Sequence, residues 1–335
     1  MTNQNIQLII FAWGKDYENK LNLTIESLFK DIIKLKKKHN VSIIFLIDQE
    51  LKNLLENKLF VKLLNLEISY KTVDITNRIG KKNFFNKIQE YGFAVSRNLN
   101  SDIIIPIYSD FIFFENSLSN IVKFLTLENK KIVFQPVLCL IEENVYNKIK
   151  TRLEIKRVLN QLDFASSIIS KGNIHNIQKM MLTNNNKLCL SPAWNMYFSN
   201  DNNLYINSYH NTPIAFRTEL LPKKIVIEIS SDQDFTNNLY NNLEHYSECY
   251  FVKDSYETLI ISLKSIKDEP LKINHYIGDQ KKEKIMSSAI TWIQSYTNNF
   301  HKYSSNFVYV IHIKTNKKDE KIFNYFENLN DKLLA

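Results

Sequence analysis

The 335-residue chain contains little cysteine, glycine or proline, with 3, 5 and 6 residues of these types. The three cysteines are far apart and form no Cys-x-x-Cys pair. This excludes a disulfide framework and a cysteine zinc site, and it is typical of a reducing cytoplasm. The scarcity of glycine and proline argues against disordered linkers and loop-rich repeats. With 44% hydrophobic residues, the composition indicates a large folded protein.

Several short motifs that identify common enzyme classes are also missing. The chain has no G-x-G-x-x-G and no G-x-x-x-x-G-K-[ST], so a phosphate-bearing ligand would have to be held without a glycine-rich loop. A divalent metal on a carboxylate is the simplest substitute. The absence of a G-x-S-x-G elbow removes the simplest hydrolase, and the histidines form no i, i+4 pair that would bind zinc.

The sequence has no stretch near the roughly 20 uninterrupted apolar residues of a membrane span. Its first residues lack the basic region of a signal peptide, and they predict a first strand instead. We therefore expect a soluble, cytoplasmic protein that is at most peripheral at the inner face of a membrane.

The formal net charge is +8 and the sequence pI is about 9.0. A basic surface tolerates a polyanionic partner or an anionic membrane without selecting between them. We find no nucleic-acid-binding module and no basic stripe interleaved with aromatic residues, so no nucleic acid partner is expected. The lysines cluster at element ends and in loops, where solvated faces are the default interpretation. The clusters are Lys34, Lys36, Lys37 and Lys38; Lys81 and Lys82; Lys281, Lys282 and Lys284; and Lys317 and Lys318.

Strand and helix patterns alternate through the first part of the chain. The predicted strands cover 6–12, 41–47, 66–73, 103–107 and 131–140, and the predicted helices cover 21–37, 50–64, 82–99 and 117–126. This alternation predicts an α/β fold with a mostly parallel sheet and helices on both faces, which is a Rossmann-like architecture.

The pattern changes near residue 145, which predicts two halves, 1–145 and 146–335, the second rich in helices. The predicted helices cover 146–170, 173–182, 257–265, 283–298 and 320–334, with an irregular segment at 190–217 and a strand at 224–229.

The stretch from Ile103 to Asn116 organises the sequence. Its β-branched apolar run predicts a strand buried on both faces, and the run ends in Tyr108, Ser109 and Asp110. Ligands of open α/β sheets bind outside the carboxyl ends of the strands, so Asp110 is well placed to hold a metal-bound phosphate. Asp110 could instead cap a turn.

The sequence contains five short motifs of interest: Trp13-Gly14 after the first strand, Pro106 to Asp110, Ser117-Leu118, His210 to Pro213, and Asp232-Gln233-Asp234. Together they resemble a loose group of bacterial GT-A-type glycosyltransferases with a non-standard acidic motif. The resemblance touches most of residues 6–240.

The resemblance implies a nucleotide-sugar donor, often bridged by a metal, in a cleft at the carboxyl ends of the sheet. It makes 1–145 the donor-binding half and 146–335 the acceptor-side half, and the implied acceptor is a bacterial surface glycan, either a polysaccharide or a lipid-linked sugar. The usual D-x-D would need an acid at Tyr108 or Ile112 beside Asp110, and neither is acidic. Dependence on Mn²⁺ or Mg²⁺ is therefore left open.

Five residues are candidates for holding the donor or its metal. Asp110 is the first candidate for the metal or the ribose, and Ser109 precedes it. Arg97 could reach the same cleft, although a surface ion pair is its other interpretation. Asp48 could contact the base or ribose or could cap the end of its strand, and Trp13 is either a core residue or part of the cleft wall.

The second half supplies the candidates for acceptor chemistry, because inversion needs a general base near the acceptor hydroxyl. Asp232 and Asp234 follow a predicted strand, and His210 lies in a polar, turn-like segment. The two aspartates could instead form the metal motif, or Asp232 could cap a helix. His210 could be an ordinary loop histidine.

Two other functions remain open. A non-catalytic sugar-binding or assembly module is favoured by the incomplete D-x-D. A sugar-phosphate nucleotidyltransferase is disfavoured, because the segment Trp13 to Asp16 is too short to be its glycine-rich phosphate loop.

Overall fold

The computed structural model describes most of the first 265 residues and less of the remainder. The described residues are 3–127, 130–169, 173, 176–177, 181–182, 188–190, 194–199, 203–208, 213–227, 239–265, 303, 306–313, 320–324 and 326–327.

Strands and helices alternate from the start of the chain to residue 134. The elements are β1 (Asn5–Phe11), α1 (Glu18–Lys36), β2 (Asn40–Ile47), α2 (Gln49–Leu55), α3 (Val61–Asn65), β3 (Ser69–Asp74), α4 (Phe84–Asn98), β4 (Ile103–Tyr108), β5 (Phe111–Phe113), α5 (Ser117–Leu127) and β6 (Ile132–Phe134). A π-helical segment, Glu56–Phe60, joins α2 to α3. Each element except β5 corresponds to a predicted one.

The remaining described elements are mainly short strands. They are β7 (Leu138–Ile141), α6 (Glu142–Lys156), α7 (Ser166–Ile168), β8 (Met181–Leu182), β9 (Leu188–Leu190), β10 (Trp194–Phe198), β11 (Leu204–Ser208), β12 (Pro213–Arg217), β13 (Cys249–Phe251), β14 (Ile260–Lys264) and β15 (Val308–Ile311). A second π-helical segment, Gln161–Ala165, precedes α7.

The chain divides into two compact units that are not consecutive in sequence. The first unit combines Met1–Phe134, Lys150–Val158 and Thr212–Tyr250, and the second combines Gln135–Ile149, Leu159–Asn211 and Phe251–Ala335. The assignment of donor and acceptor roles to residues 1–145 and 146–335 stays a prediction.

The first unit is built on a seven-stranded sheet in the order β13-β6-β12-β4-β1-β2-β3. The strands β4, β1, β2 and β3 are parallel to one another, and β12 is antiparallel to both of its neighbours, β4 and β6. This sheet and its flanking helices confirm the predicted α/β class with a mostly parallel sheet.

Apolar periodicity explains why the helices pack on this sheet. The helix α1 buries Leu21, Ile25, Leu28 and Ile32, which recur every three or four residues on one face. The helix α4 approaches the sheet closely at Gly92. A Cβ atom built there would lie 3.1 Å from the Phe11 ring and 3.2 Å from Ile9 and Leu46, so only glycine fits without a shift.

The second unit contains a five-stranded antiparallel sheet in the order β15-β11-β10-β9-β8. Residues 320–324 and 326–327 are helical. Ile322 and Phe326 from this helical stretch are buried against Tyr205 of β11 and Val310 of β15. In the same unit β14 pairs in parallel with β7.

Several predicted elements of the second half are wrong. The segment at 190–217, predicted to be irregular, holds β10, β11 and β12, and the helix predicted at 257–265 is replaced by β14. The predicted strand at 224–229 is absent from its described residues, 224–227. The helix predicted at 146–170 ends at Lys156, because Arg157 adopts a left-handed conformation with φ of 54°. The helix predicted at 283–298 lies outside the described residues.

Candidate functional site

The parallel strands of the first unit end along one edge of the sheet, called here the carboxyl edge. Phe11 of β1 lies opposite Leu46 of β2 and Tyr108 of β4, and Ile47 pairs with Asp74 of β3, so the four strand ends are aligned. The chain proceeds from β1 outward to β3 and then crosses to the other side of β1 to form β4. This reversal of strand order is the point at which open α/β sheets bind ligands.

Asp48 lies at the end of β2 and is 5% exposed. One carboxylate oxygen accepts from the Leu51 backbone N–H at 2.7 Å and caps α2, and the other accepts from the Gly14 backbone N–H. Gly14 has a φ of 80°, which side chains larger than glycine rarely adopt. The predicted cap is therefore present, and the same carboxylate also fixes the loop after β1.

Asp74 is a third acidic residue at this edge, and the sequence analysis missed it. Its Oδ1 accepts from the Thr76 N–H at 2.8 Å and from the Thr76 hydroxyl at 2.6 Å, and these hydrogen bonds lower the pKa of the Asp74 carboxyl. The Thr76 hydroxyl in turn accepts from the Gln49 N–H at 2.9 Å. An acid followed by threonine two positions later, directly after a strand, was the available signal.

Ser109 and Asp110 follow β4 and are 4% and 3% exposed. The Ser109 N–H donates to the Phe11 carbonyl at 3.3 Å, which extends the β1–β4 pairing by one residue. The hydroxyl of Thr24, on α1, donates to the Ser109 carbonyl at 2.9 Å. These two contacts fix the backbone on which the Asp110 carboxylate is carried.

Five half-buried rings form an aromatic cluster at the carboxyl edge: Trp13, Phe84, Phe85, Tyr108 and Phe111. The Trp13 ring lies 5.0 Å from Phe84 in an edge-to-face arrangement and 5.8 Å from Phe85, measured between centroids. Tyr108 joins Phe111 to these rings, because its centroid lies 5.7 Å from Phe85 and 5.0 Å from Phe111. Trp13 is thus part of a wall of side chains at the edge rather than an isolated core residue.

Arg97 lies at the opposite end of the sheet. It is near the end of α4, which returns the chain to the start of β4, and about 20 Å separates the two ends of a six-residue strand. Its Nη1 donates to the Pro222 carbonyl at 2.8 Å. The structure therefore brings Trp13, Asp48, Ser109 and Asp110 to one edge and does not bring Arg97 there.

The three acceptor-side candidates, His210, Asp232 and Asp234, lie outside the described residues. Among the residues that are described, no group of three or more His, Cys, Asp or Glu side chains is arranged to hold a metal. Asp110 therefore has no complete set of metal ligands within the described part of the chain. In the same part, no helix has the length and apolar character needed to cross a membrane.

No protein-family model matches the chain, and no curated protein sequence matches it. Three solved structures resemble it at 12% identity. S. aureus TarS 1–349, in complex with UDP-GlcNAc, aligns with a TM-score of 0.44 over 90% of this chain and 70% of that chain. The mannosyltransferase PcManGT from Pyrobaculum calidifontis, in complex with GDP-Man and Mn²⁺, aligns with a TM-score of 0.40 over 100% and 73%.

The third structure is 4-diphosphocytidyl-2C-methyl-D-erythritolsynthase from Anaerococcus prevotii, with a TM-score of 0.35 over 87% of this chain and 99% of that chain. Another structure of S. aureus TarS is covered over only 42% of its chain. Similarity at this level carries no argument about the activity of the chain.

Proposed function

We propose that this chain is a GT-A-like glycosyltransferase that transfers a sugar from a nucleotide-sugar donor to a bacterial surface glycan. One observation carries the proposal: two buried carboxylates, Asp48 and Asp110, flank the Trp13-Gly14 loop where the strand order reverses. Ligand sites of α/β sheets occupy this place, and carboxylates there suit the hydroxyls of a ribose.

The donor nucleoside would bind against the end of β1 and β2. Both oxygens of Asp48 already accept backbone hydrogen bonds, and each keeps a lone pair that can accept from a ribose hydroxyl. Trp13 and its aromatic cluster offer a ring face for the base. Asp110, with Ser109 before it, would then face the sugar-phosphate part of the donor.

Glycosyl transfer needs positive charge on the leaving pyrophosphate. The described residues do not complete a metal site, so we assign no step to Mn²⁺ or Mg²⁺. Exposed cations do occur in the loops at the carboxyl edge: Lys15 follows β1, and Lys81 and Lys82 precede α4. We propose that these lysines supply charge to the phosphates, and metal dependence is tested separately.

Acceptor chemistry is assigned to the candidates of the second half. Asp232, Asp234 or His210 would serve as the general base for the acceptor hydroxyl. We further propose that the protein acts in the cytoplasm and associates peripherally with the membrane, where a lipid-linked or polysaccharide acceptor is made. Residues 1–145 would mainly bind the donor and 146–335 the acceptor.

The test is a donor screen with a matched pair of variants. Purified protein is screened against UDP-, GDP-, CMP- and dTDP-sugars by thermal shift and nucleotide release, with and without Mn²⁺. Asp110→Asn removes a charge at the carboxyl end of β4. Asp102→Asn is the control, because Asp102 directly precedes β4, away from the carboxyl edge, and its carboxylate accepts from the Asn5 N–H at 2.8 Å.

We expect one nucleotide family to stabilise the wild type and the Asp102→Asn control. In Asp110→Asn we expect nucleotide release to fall by about a hundredfold, as for a preorganised charged group lost from an active site. Equal release from both variants would contradict the assignment of Asp110. A failure of every nucleotide sugar to bind, in either metal condition, would contradict the proposed function itself.

A second candidate is a non-catalytic sugar-binding or assembly module. It is favoured by the lack of an acidic partner for Asp110 at Tyr108 or Ile112. Saturable donor binding without nucleotide release, in the presence of glycan acceptors, would select this alternative. Release of pyrophosphate from a nucleoside triphosphate and a sugar phosphate would instead select the nucleotidyltransferase.

A further inference from the structure

A pocket of about 200 Å³ lies between α1 and α5 of the first unit. Three lysines line it, Lys34 and Lys38 from the end of α1 and Lys123 from α5, together with His39. β2 begins at Asn40, directly after His39, so the pocket lies near the sheet edge where the strands begin, away from Asp110. Among the described residues, no carboxylate lines this pocket.

The three lysines of the pocket have different surroundings. Lys34 Nζ donates to the Asn116 side chain at 3.2 Å, while Lys38 and Lys123 are exposed. The buried Asp31 carboxylate accepts from the Ser119 N–H at 3.1 Å, and burial raises the pKa of this carboxyl. A single carboxylate offsets at most one of the three lysine charges.

His39 is 8% exposed and adds a neutral donor to the pocket. Its Nδ1 accepts from the Gln4 N–H at 3.4 Å, which leaves the ring proton on Nε2. Burial, and then the charge of Lys38, lowers the pKa of the His39 imidazole. Both causes favour the neutral form of the ring.

Apolar side chains form the rest of the wall. Leu35 and Val122 are buried, and Leu127 is 48% exposed at the rim. A pocket of this size is smaller than one that encloses a drug-sized ligand, and it suits a single phosphate group. Cations beside apolar surface suit a phosphate that is attached to a carbon chain.

We propose that the pocket between α1 and α5 binds a phosphate group, with Lys34, Lys38 and Lys123 on its oxygens. The phosphate can belong to an anionic lipid headgroup or to a small soluble phosphate. If the phosphate belongs to a lipid, the pocket is the site of the proposed peripheral membrane contact. The inference does not depend on the transferase activity, because the pocket and Asp110 lie at different edges of the sheet.

Two multiple variants test the charges. Lys34→Gln/Lys38→Gln/Lys123→Gln removes the three lysines of the pocket. Lys58→Gln/Lys71→Gln/Lys150→Gln is the matched control, because it removes three exposed lysines that do not line the pocket. Thr126→Phe keeps every charge and fills the cavity, since Thr126 is a half-buried lining residue. Circular dichroism and thermal melting are used to check that all three variants are folded.

Each protein is titrated with inorganic phosphate and, separately, with vesicles of phosphatidylcholine alone or with phosphatidylglycerol at low salt. A soluble-phosphate site predicts saturable binding of inorganic phosphate. A lipid site predicts binding to the phosphatidylglycerol vesicles only. In either case we expect the pocket triple variant to bind about a hundredfold more weakly than wild type. Thr126→Phe should bind at least about tenfold more weakly, and the control triple variant should stay within about threefold of wild type.

Three results would overturn the inference. The first is the absence of binding to both phosphate and anionic vesicles by the wild type. The second is an equal loss in the pocket and control triple variants, which would mean a general effect of net charge. The third is unchanged binding by Thr126→Phe, which would assign the lysines to an open surface patch. Donor binding measured in parallel separates these results from a failure of the proposed transferase.

Discussion

The carboxyl edge of the first unit and the opposite edge, where the strands begin, differ in how their charged groups are held. At the carboxyl edge Asp48 and Asp110 are 5% and 3% exposed, and the oxygens of Asp48 accept from backbone N–H groups of two elements. At the opposite edge the exposed side chains of Lys38 and Lys123 supply the charge.

This difference indicates two kinds of site. A buried, hydrogen-bonded carboxylate keeps one position and so suits the selection of a ligand by geometry. Exposed lysines attract an anion over a distance with little geometric demand, and salt weakens that attraction. We therefore expect substitutions at the carboxyl edge to affect folding and specificity together, and substitutions of the exposed lysines at the opposite edge to affect affinity alone.

The largest effect on stability is expected from Gly92→Val. The added side chain would enter the tight contact with Phe11 and Leu46, just before the carboxyl edge, and overpacking of this kind costs about 3 kcal/mol. Urea unfolding measures the loss. Asn98→Val, at the exposed end of the same helix, is the control and should cost less than about 1 kcal/mol. Similar losses in both variants would argue against close packing at Gly92.

A smaller loss of stability is expected when the side chain of Asp48, at the end of β2, is truncated. Asp48→Ala removes the acceptor of both the Gly14 and Leu51 N–H groups and should cost about 2 kcal/mol. Asp102→Ala removes a more exposed acceptor and should cost about 1 kcal/mol or less. If chemical denaturation finds the two variants equally destabilised, the contrast between the two edges is wrong.

The next effect in size is a pH dependence of stability that arises from the buried His39 at the opposite edge. The pKa of His39 is lowered from 6.5, so below this value the unfolded chain binds more protons than the folded one. The contribution of His39 is present above pH 6.5 and falls as the pH drops toward the folded pKa. His39→Gln should flatten the melting temperature over this range, and a profile with unchanged slope would contradict the burial argument.

The smallest effect belongs to Asp74, which is exposed. The hydrogen bonds from Thr76 lower the pKa of this carboxyl from 3.8, so its contribution is present above pH 3.8 and is lost as the pH falls through the folded pKa. Thr76→Val removes the hydroxyl donor and should shift the titration of Asp74 upward, as measured by NMR. A titration that does not move would exclude the hydroxyl as the main cause.

The sequence predicted the first unit better than the second for a physical reason. Strands buried on both faces, such as β1, β2 and β4, appear as continuous apolar runs between amphipathic helices. β14 is a short, mostly apolar segment that contains Ser262, and a short segment of this kind does not distinguish a strand from a buried helix. The strands β10 and β11 were missed because each has only five residues and the asparagine- and serine-rich sequence around them predicts turns.

The candidate site also has parts that the sequence predicts and parts that it does not. Asp48 and Asp110 were found because an acid directly after an apolar strand is visible in the sequence. The contact between Trp13 and Phe84 was not predictable, since it joins residues far apart in the chain and depends on where α4 begins. Arg97 was placed near the wrong end of β4, although the predicted order of helix 82–99 and strand 103–107 already puts the end of that helix at the start of the strand.

The double role of the Asp48 carboxylate has a consequence for the opening of the site. Since one side chain binds both the Gly14 amide and the first turn of α2, a movement of that side chain would release the loop and the helix cap together. Hydrogen exchange at the Gly14 and Leu51 amides should then proceed through one shared opening, with rates that rise together. A ligand that orders the loop after β1 would thereby slow exchange in a helix that it does not touch.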